Sequence, residues 1–236
     1  MRFCLLFLIV GLLQPVMAQN WNGKVYYAGA LRKTMQEGFT GVAAQLDSVS
    51  GGEDLFGLGA VDGLKGEFIV MAGEITRSYV ANGSIRTDPS YAGGVTLLVY
   101  TTVREWKAVP LTDSIETLDD LESFVERSAS GMGIDTTKPF PFLLEGRFES
   151  VNWHIIDWPE NDPVHTHEKH KSSGLNGALN NEAARMLGFY SKHHKGIFTH
   201  HTRFIHIHGL PESLKAAVHV DDLEADGRVI LFLPAQ

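Results

Sequence analysis

Cysteine is almost absent. The single one, Cys4, falls in an apolar N-terminal stretch, so the rest of the chain can form no disulfide and offers no thiolate as nucleophile or metal ligand. Histidine is missing from the first 150 residues, and all eleven lie beyond that point. Imidazole chemistry is therefore to be sought in the C-terminal third. Positive charge is in deficit: the formal net charge is -8, which argues against electrostatic attraction to nucleic acid or anionic lipid as the main activity. After residue 18 no apolar run is long enough to cross a bilayer as a helix. Long repeats and low-complexity linkers are also lacking, which argues against solenoids and tethered arrays.

The chain opens "MRFCLLFLIVGLLQPVMAQNWNGK". Arg2 supplies a positive start, Leu5 to Leu13 an apolar core, and Val16-Met17-Ala18 a small-residue cleavage site. That pattern is a secretory signal over residues 1–18 rather than an anchor, because the run is short and ends at Pro15. The expected destination is secreted or periplasmic, with no membrane association after cleavage. The whole chain is 44% hydrophobic and 20% charged, and the part after residue 18 can build a core of its own. It divides into an N-terminal α/β half, residues 19–140, and a C-terminal β-rich half, residues 141–236, holding the histidines.

Local signals place the elements. Residues 28–47 carry helical spacing broken at Gly38, which predicts two short helices. Glu67–Met71 and Ile75–Ala81 read as strands of a meander, punctuated by Gly73-Glu74 and Asn82-Gly83. "GGVTLLVYTTV", residues 93–103, reads as a buried strand. "TLDDLESFVERSASG" predicts a helix capped by Thr117, with Asp120 in its first turn and Leu118, Leu121, Phe124 and Val125 on one core-facing side. Residues 139–157 read as a hairpin turning near Glu145-Gly146, residues 160–181 as a polar mobile loop, and Glu182 to Leu187 as a short helix. Two strands around "RFIHIHGLPESLKAAVH" and the strand "VILFLP" follow. The class is α+β, with mixed or antiparallel strands and a few helices.

In that motif His206 and His208 stand on one face of a strand, about 7 Å apart, while Ile205 and Ile207 face the other way. Gly209-Leu210-Pro211 ends the strand, and a returning partner brings His219 opposite the pair. Three imidazoles so arranged can hold Zn²⁺ and leave a coordination place open, as catalytic zinc sites do. A run of solvent-facing polar residues is the alternative, and the residues alone leave both open. Asp221 and Asp222 follow His219 closely enough for one to orient a ligand through its second nitrogen. His165, His167 and His170, with Glu168, also have metal-like spacing, but on a loop that would lose much entropy in gripping an ion; they read as an exposed polar segment or a lid. His193, His194, His200 and His201 read as surface residues. Glu67, taken alone, opens a strand and reads as solvated.

Three segments together resemble the α-acetolactate decarboxylase family: "FGLGAVDGLKGEFIV", "LGFYSKHHKGIF" and "HIHGLPESLKAAVHVDDLE", the last with the family's His-x-His and a third His eleven residues on. The resemblance implies two sheet-based layers with zinc in a cleft between them, and conversion of 2-hydroxy-2-methyl-3-oxobutanoate to acetoin and CO₂. It implies His206, His208 and His219 as zinc ligands and Glu67, in "KGEF", as the acid/base group. The implied partner is a small hydroxy-keto acid, and the implied assembly a homodimer. Losing CO₂ from a β-keto acid leaves an enediolate, so a Lewis acid and a proton donor are both wanted. At two positions the chain departs from the family pattern. His154 stands where the family has a carboxylate-steering arginine, and Ala235 where it has a second glutamate. A cationic His154 would then be the substrate-binding group, without the two-pronged grip of a guanidinium. Arg147, an odd number of residues from 154, points to the opposite face of a regular strand. A binder of keto acids without turnover is the alternative reading of the whole chain.

Overall fold

The computed structural model describes residues 20–49, 52–160 and 162–236; the proposed leader and Cys4 lie outside them. Two sheets are built one after the other along the chain, and every strand pairing within them is antiparallel. The first contains β1 (Tyr26–Ala28), β2 (Ala44–Gln45), β3 (Leu55–Val61), β4 (Glu67–Met71), β5 (Glu74–Ala81), β6 (Ser84–Asp88) and β7 (Gly94–Thr102). Its order is β1-β7-β3-β4-β5-β6, with β2 also on β7. The second contains β8 (Trp106–Pro110), β9 (Phe140–Ile155), β10 (Leu175–Tyr190), β11 (Ile205–Pro211), β12 (Val218–Glu224) and β13 (Val229–Pro234). Its order is β10-β11-β12-β9-β13-β8, and β10 also pairs with β9. Those last pairings close a circuit of four strands, β9, β10, β11 and β12.

Helix α1 (Leu31–Glu37) ends at Gly38, whose φ of 67° supplies the left-handed stop. The second helix predicted before residue 47 is instead the two-residue strand β2 and a 3₁₀ turn, Leu46–Val49. Helix α2 (Leu118–Gly131) begins as its sequence says: Thr117 Oγ1 accepts from the Asp120 N–H, and the Asp120 carboxylate accepts from the Thr117 N–H at 3.0 Å. Its apolar face joins one core shared by both sheets, in which Leu58, Ile69 and Val99 meet Leu121, Phe124, Phe142, Leu187 and Ile207.

Two expectations are corrected in the second sheet. The segment through Glu145-Gly146 is no turn: β9 runs unbroken for 16 residues, and β10 matches it. Gly146 sits at φ 148° because the backbone of Arg228 passes so close that a Cβ would lie 2.2 Å from its carbonyl oxygen. The helix predicted at Glu182–Leu187 is strand, part of β10. Its helix-forming residues are overruled by ladders on both sides, with β9 and β11. The connection between β9 and β10 is shorter than the predicted loop and contains helix α3 (His167–Ser172), capped by Thr166.

Gly188 of β10 lies under the ring of Phe142, its register partner. A Cβ there would come within 2.2 Å of Phe142 Cζ, and that ring is fully buried. Gly188→Ala is therefore expected to lower unfolding free energy by about 1–3 kcal/mol. An unchanged denaturant midpoint would mean that the ring has room to move.

A candidate metal centre between the sheets

The strand registers assemble the site. His208 of β11 pairs with His219 of β12, and His219 pairs with His154 of β9. Residues directly opposite in antiparallel strands share a face, so these three imidazoles form a row, and His206 joins it from two residues along β11. The ring centroids lie 4.6 Å apart for His154 and His219, 4.9 Å for His206 and His208, and 5.1 Å for His206 and His219. A bulge between Val220 and Asp222 gives β12 an extra residue opposite β9. Asp221 is that residue, and its carboxylate comes to lie beside His154 and His219.

Two of the rings are held from behind by backbone carbonyls. His206 Nδ1 donates to the carbonyl of Phe198 at 2.8 Å, and His208 Nδ1 to the carbonyl of Phe68 at 2.8 Å. The second bond reaches from one sheet to the other. Because both Nδ1 atoms face carbonyl oxygens, both must carry the proton, which leaves bare lone pairs on both Nε2 atoms. Those two Nε2 atoms are 3.2 Å apart. Burial pushes His206 down to about 4 and His208 well below its usual range, so neither ring takes up a second proton at neutral pH. Two lone pairs facing each other at that distance in a buried site call for a shared cation. His219 is also driven well below its usual range by burial, and its buried Nδ1 has no hydrogen-bond partner. Among the described residues, two groups bring three ligand atoms within 4.8 Å of one another: His206, His208 and His219, and His154, His219 and Asp221. The first is the set expected from sequence, and its chemistry fits a borderline-soft divalent ion.

Glu67 is buried rather than solvated, at 4% exposure. It enters from β4 of the first sheet, where its carboxylate accepts a hydrogen bond from the Ile156 N–H. Its Oε2 lies 3.6 Å from His208 Nε2, and its Oε1 3.9 Å from His154 Nε2. Desolvation raises its pKa well above the usual carboxylate range, and the nearby Asp221 charge adds to the rise. His154 has both nitrogens turned to acidic groups: Nδ1 meets Asp221 Oδ2 at 2.9 Å, and Nε2 faces Glu67. Arg147 is exposed and donates to the carbonyl of Asn181, away from this row.

The row opens into a cleft of about 1160 Å³, walled by both sheets and roofed in part by α3 and the 195–203 segment. The second histidine cluster does not converge on a point. His165 Nδ1 meets His170 Nε2 at 2.9 Å beneath Trp158, which stacks on His165 at 4.2 Å. His167 instead packs on His200, with centroids 4.5 Å apart. Burial, helped by neighbouring imidazoles, pushes His170 and His200 down to about 4. His193 and His201 are exposed, as expected, but His194 is half-buried against Phe198 and bonds Ser191 Oγ at 2.7 Å. Ala235 is buried outside the cleft lining, its N–H on the carbonyl of Glu105.

Fold and site together define a two-sheet α+β protein with a three-histidine cluster suited to a divalent cation. The chain belongs to the alpha-acetolactate decarboxylase family, whose model matches residues 25–232. In fold it is similar to acetolactate decarboxylase from Bacillus subtilis subspecies spizizenii, with a TM-score of 0.69 at 17% identity over 90% of this chain and 86% of that one. The enzyme from Bacillus subtilis strain 168 gives a TM-score of 0.68 at 16% identity, covering 90% and 86%. A Staphylococcus aureus protein of unknown function, described as similar to alpha-acetolactate decarboxylase, gives 0.67 at 16% identity, covering 89% and 84%. No curated protein matches the chain in sequence.

Proposed function

We propose that this protein is a zinc-dependent carboxy-lyase that converts 2-hydroxy-2-methyl-3-oxobutanoate to acetoin and CO₂. The observation that carries the proposal is the facing pair of unprotonated Nε2 atoms on His206 and His208, 3.2 Å apart, with the Glu67 carboxyl 3.6 Å from one of them. His206, His208 and His219 would hold the zinc. When bound, the ion supplies Lewis-acid stabilisation of the charge that departing CO₂ leaves on oxygen.

The rest falls to the protein's own side chains. The substrate enters as an anion and acetoin leaves neutral, so each turnover consumes one proton at carbon. Glu67 is proposed as its carrier. In support, it is buried, desolvation raises its pKa well above the usual carboxylate range, and it borders the metal row. His154 Nδ1 lies 2.9 Å from Asp221 Oδ2, which orients the ring so that Nε2 faces Glu67. His154 thus orients the carboxyl group's surroundings. The apolar wall, including Leu64, Leu97 and Ile156, limits access of water to that carboxyl.

A keto-acid binder without turnover is the second reading. It is motivated by Ala235, which by the resemblance takes the place of the family's second glutamate. One assay separates the two. Zinc-loaded protein incubated with racemic acetolactate is expected to release acetoin, to stop when the metal is chelated, and to recover on adding zinc. Binding of acetolactate without acetoin, at one zinc per chain, would leave only the binder.

A further inference from the structure

Four cationic side chains other than histidine line the cleft: Arg32, Lys171, Lys195 and Arg203. Two are engaged elsewhere. The Arg203 guanidinium pairs with Asp119, and the Lys195 ammonium lies 4.0 Å over the Phe204 ring while donating to the carbonyl of Thr202. Arg32 is exposed on α1 and has no polar side-chain partner among the described residues. Lys171 differs from all three. Its Nζ lies 3.3 Å from Asp221 Oδ1, and Asp221 borders both His154, at 2.9 Å, and His219, at 3.7 Å. The backbone around it is anchored: Asn176 Nδ2 donates to the Lys171 carbonyl at 3.2 Å, and Asn176 is the register partner of His154. The lysine at the end of α3 is thereby tied to the strand pair that presents the site.

We propose that Lys171 is the substrate-binding cation of the cleft and holds the carboxylate of the hydroxy-keto acid, an assignment that rests on the decarboxylase reading. His154 stands where that cation was expected from sequence, but its two nitrogens already face Asp221 and Glu67. An ammonium has three donors. The Lys171 contact with Asp221 is an ion pair at 3.3 Å in which Asp221 Oδ1 takes no hydrogen bond. Its donors are left for an incoming carboxylate, and Asp221 keeps the side chain extended toward the row instead of out to solvent. With its side chain 32% exposed, Lys171 is open to a ligand from the cleft.

The test uses full-length zinc-loaded protein in three forms: wild type, Lys171→Met and Lys171→Arg. For acetolactate, Lys171→Met is expected to raise KM about tenfold or more, the effect of losing a charged hydrogen-bonding partner, with the smaller change in kcat. Lys171→Arg restores most of the loss. Binding of two non-reacting probes supplies the second arm. The carboxylate 2-hydroxy-2-methylpropanoate should bind Lys171→Met about tenfold more weakly, whereas neutral acetoin should bind both forms alike. Wild type that makes no acetoin removes the decarboxylase reading, and the probe arm then still decides whether Lys171 is an anion site. Equal binding of the carboxylate probe by wild type and Lys171→Met, or its failure to bind wild type at all, overturns the assignment. So does an equal loss for acetoin, which marks a collapsed cleft.

Discussion

Replacing His208 by alanine is expected to take zinc content from one per chain to near zero, and acetoin formation with it. The side chain has two jobs. Its Nε2 faces that of His206, and its Nδ1–H reaches the Phe68 carbonyl on the other sheet. Removing the ring leaves two donor groups for the ion, and a tripod reduced to two loses most of its affinity. It also removes a buried hydrogen bond between the sheets, a loss of about 0.5–1.5 kcal/mol even without metal. Metal-dependent stability should vanish too. Zinc at about a thousand times its dissociation constant stabilises wild type by about 4 kcal/mol, and the variant should show no shift in Tm on adding zinc. If the variant still carries one zinc per chain after dialysis, the ion sits elsewhere, and His154, His219 and Asp221 become the set to examine.

What could be read from the sequence, and what could not, follows the reach of each interaction. Strands β4, β5 and β7 and helix α2 rest on neighbours in sequence: alternation, the Asn82-Gly83 turn, the Thr117 cap. The metal row was legible for the same reason, since period-two geometry alone puts His206 and His208 on one face. Strand β10 was not, because Glu182 to Leu187 carry helical propensity and only the ladders of β9 and β11 overrule it. Gly146 reads as a turn, although the requirement it meets is the close approach of Arg228, just before the distant strand β13. Glu67 is buried where the second sheet brings His154 and His208 against it, so its local sequence looks like any strand start. Asp221 became a partner of His154 through a one-residue bulge that no residue pattern announces. Lys171, inside a stretch read as a loop, owes its position to Asn176 across the β9–β10 pair.

Glu67→Gln separates holding the metal from moving the proton. Glutamine has nearly the same shape, and its amide oxygen can still accept from the Ile156 N–H, so the fold and the histidine row should persist with one zinc per chain. What it lacks is an exchangeable acidic proton. If Glu67 delivers the proton that carbon needs after CO₂ departs, kcat should fall by about 10²–10⁴. The loss should appear equally in kcat/KM, since the contribution is made only in the transition state. A rise in KM alone would instead make Glu67 a binding group. A third pattern is also informative: loss of zinc with loss of activity would mean that the carboxylate, 3.6 Å from His208 Nε2, completes the metal's ligand shell. Unchanged kcat at full zinc occupancy would remove Glu67 from the chemistry. The proton would then have to come from water or from another group lining the cleft.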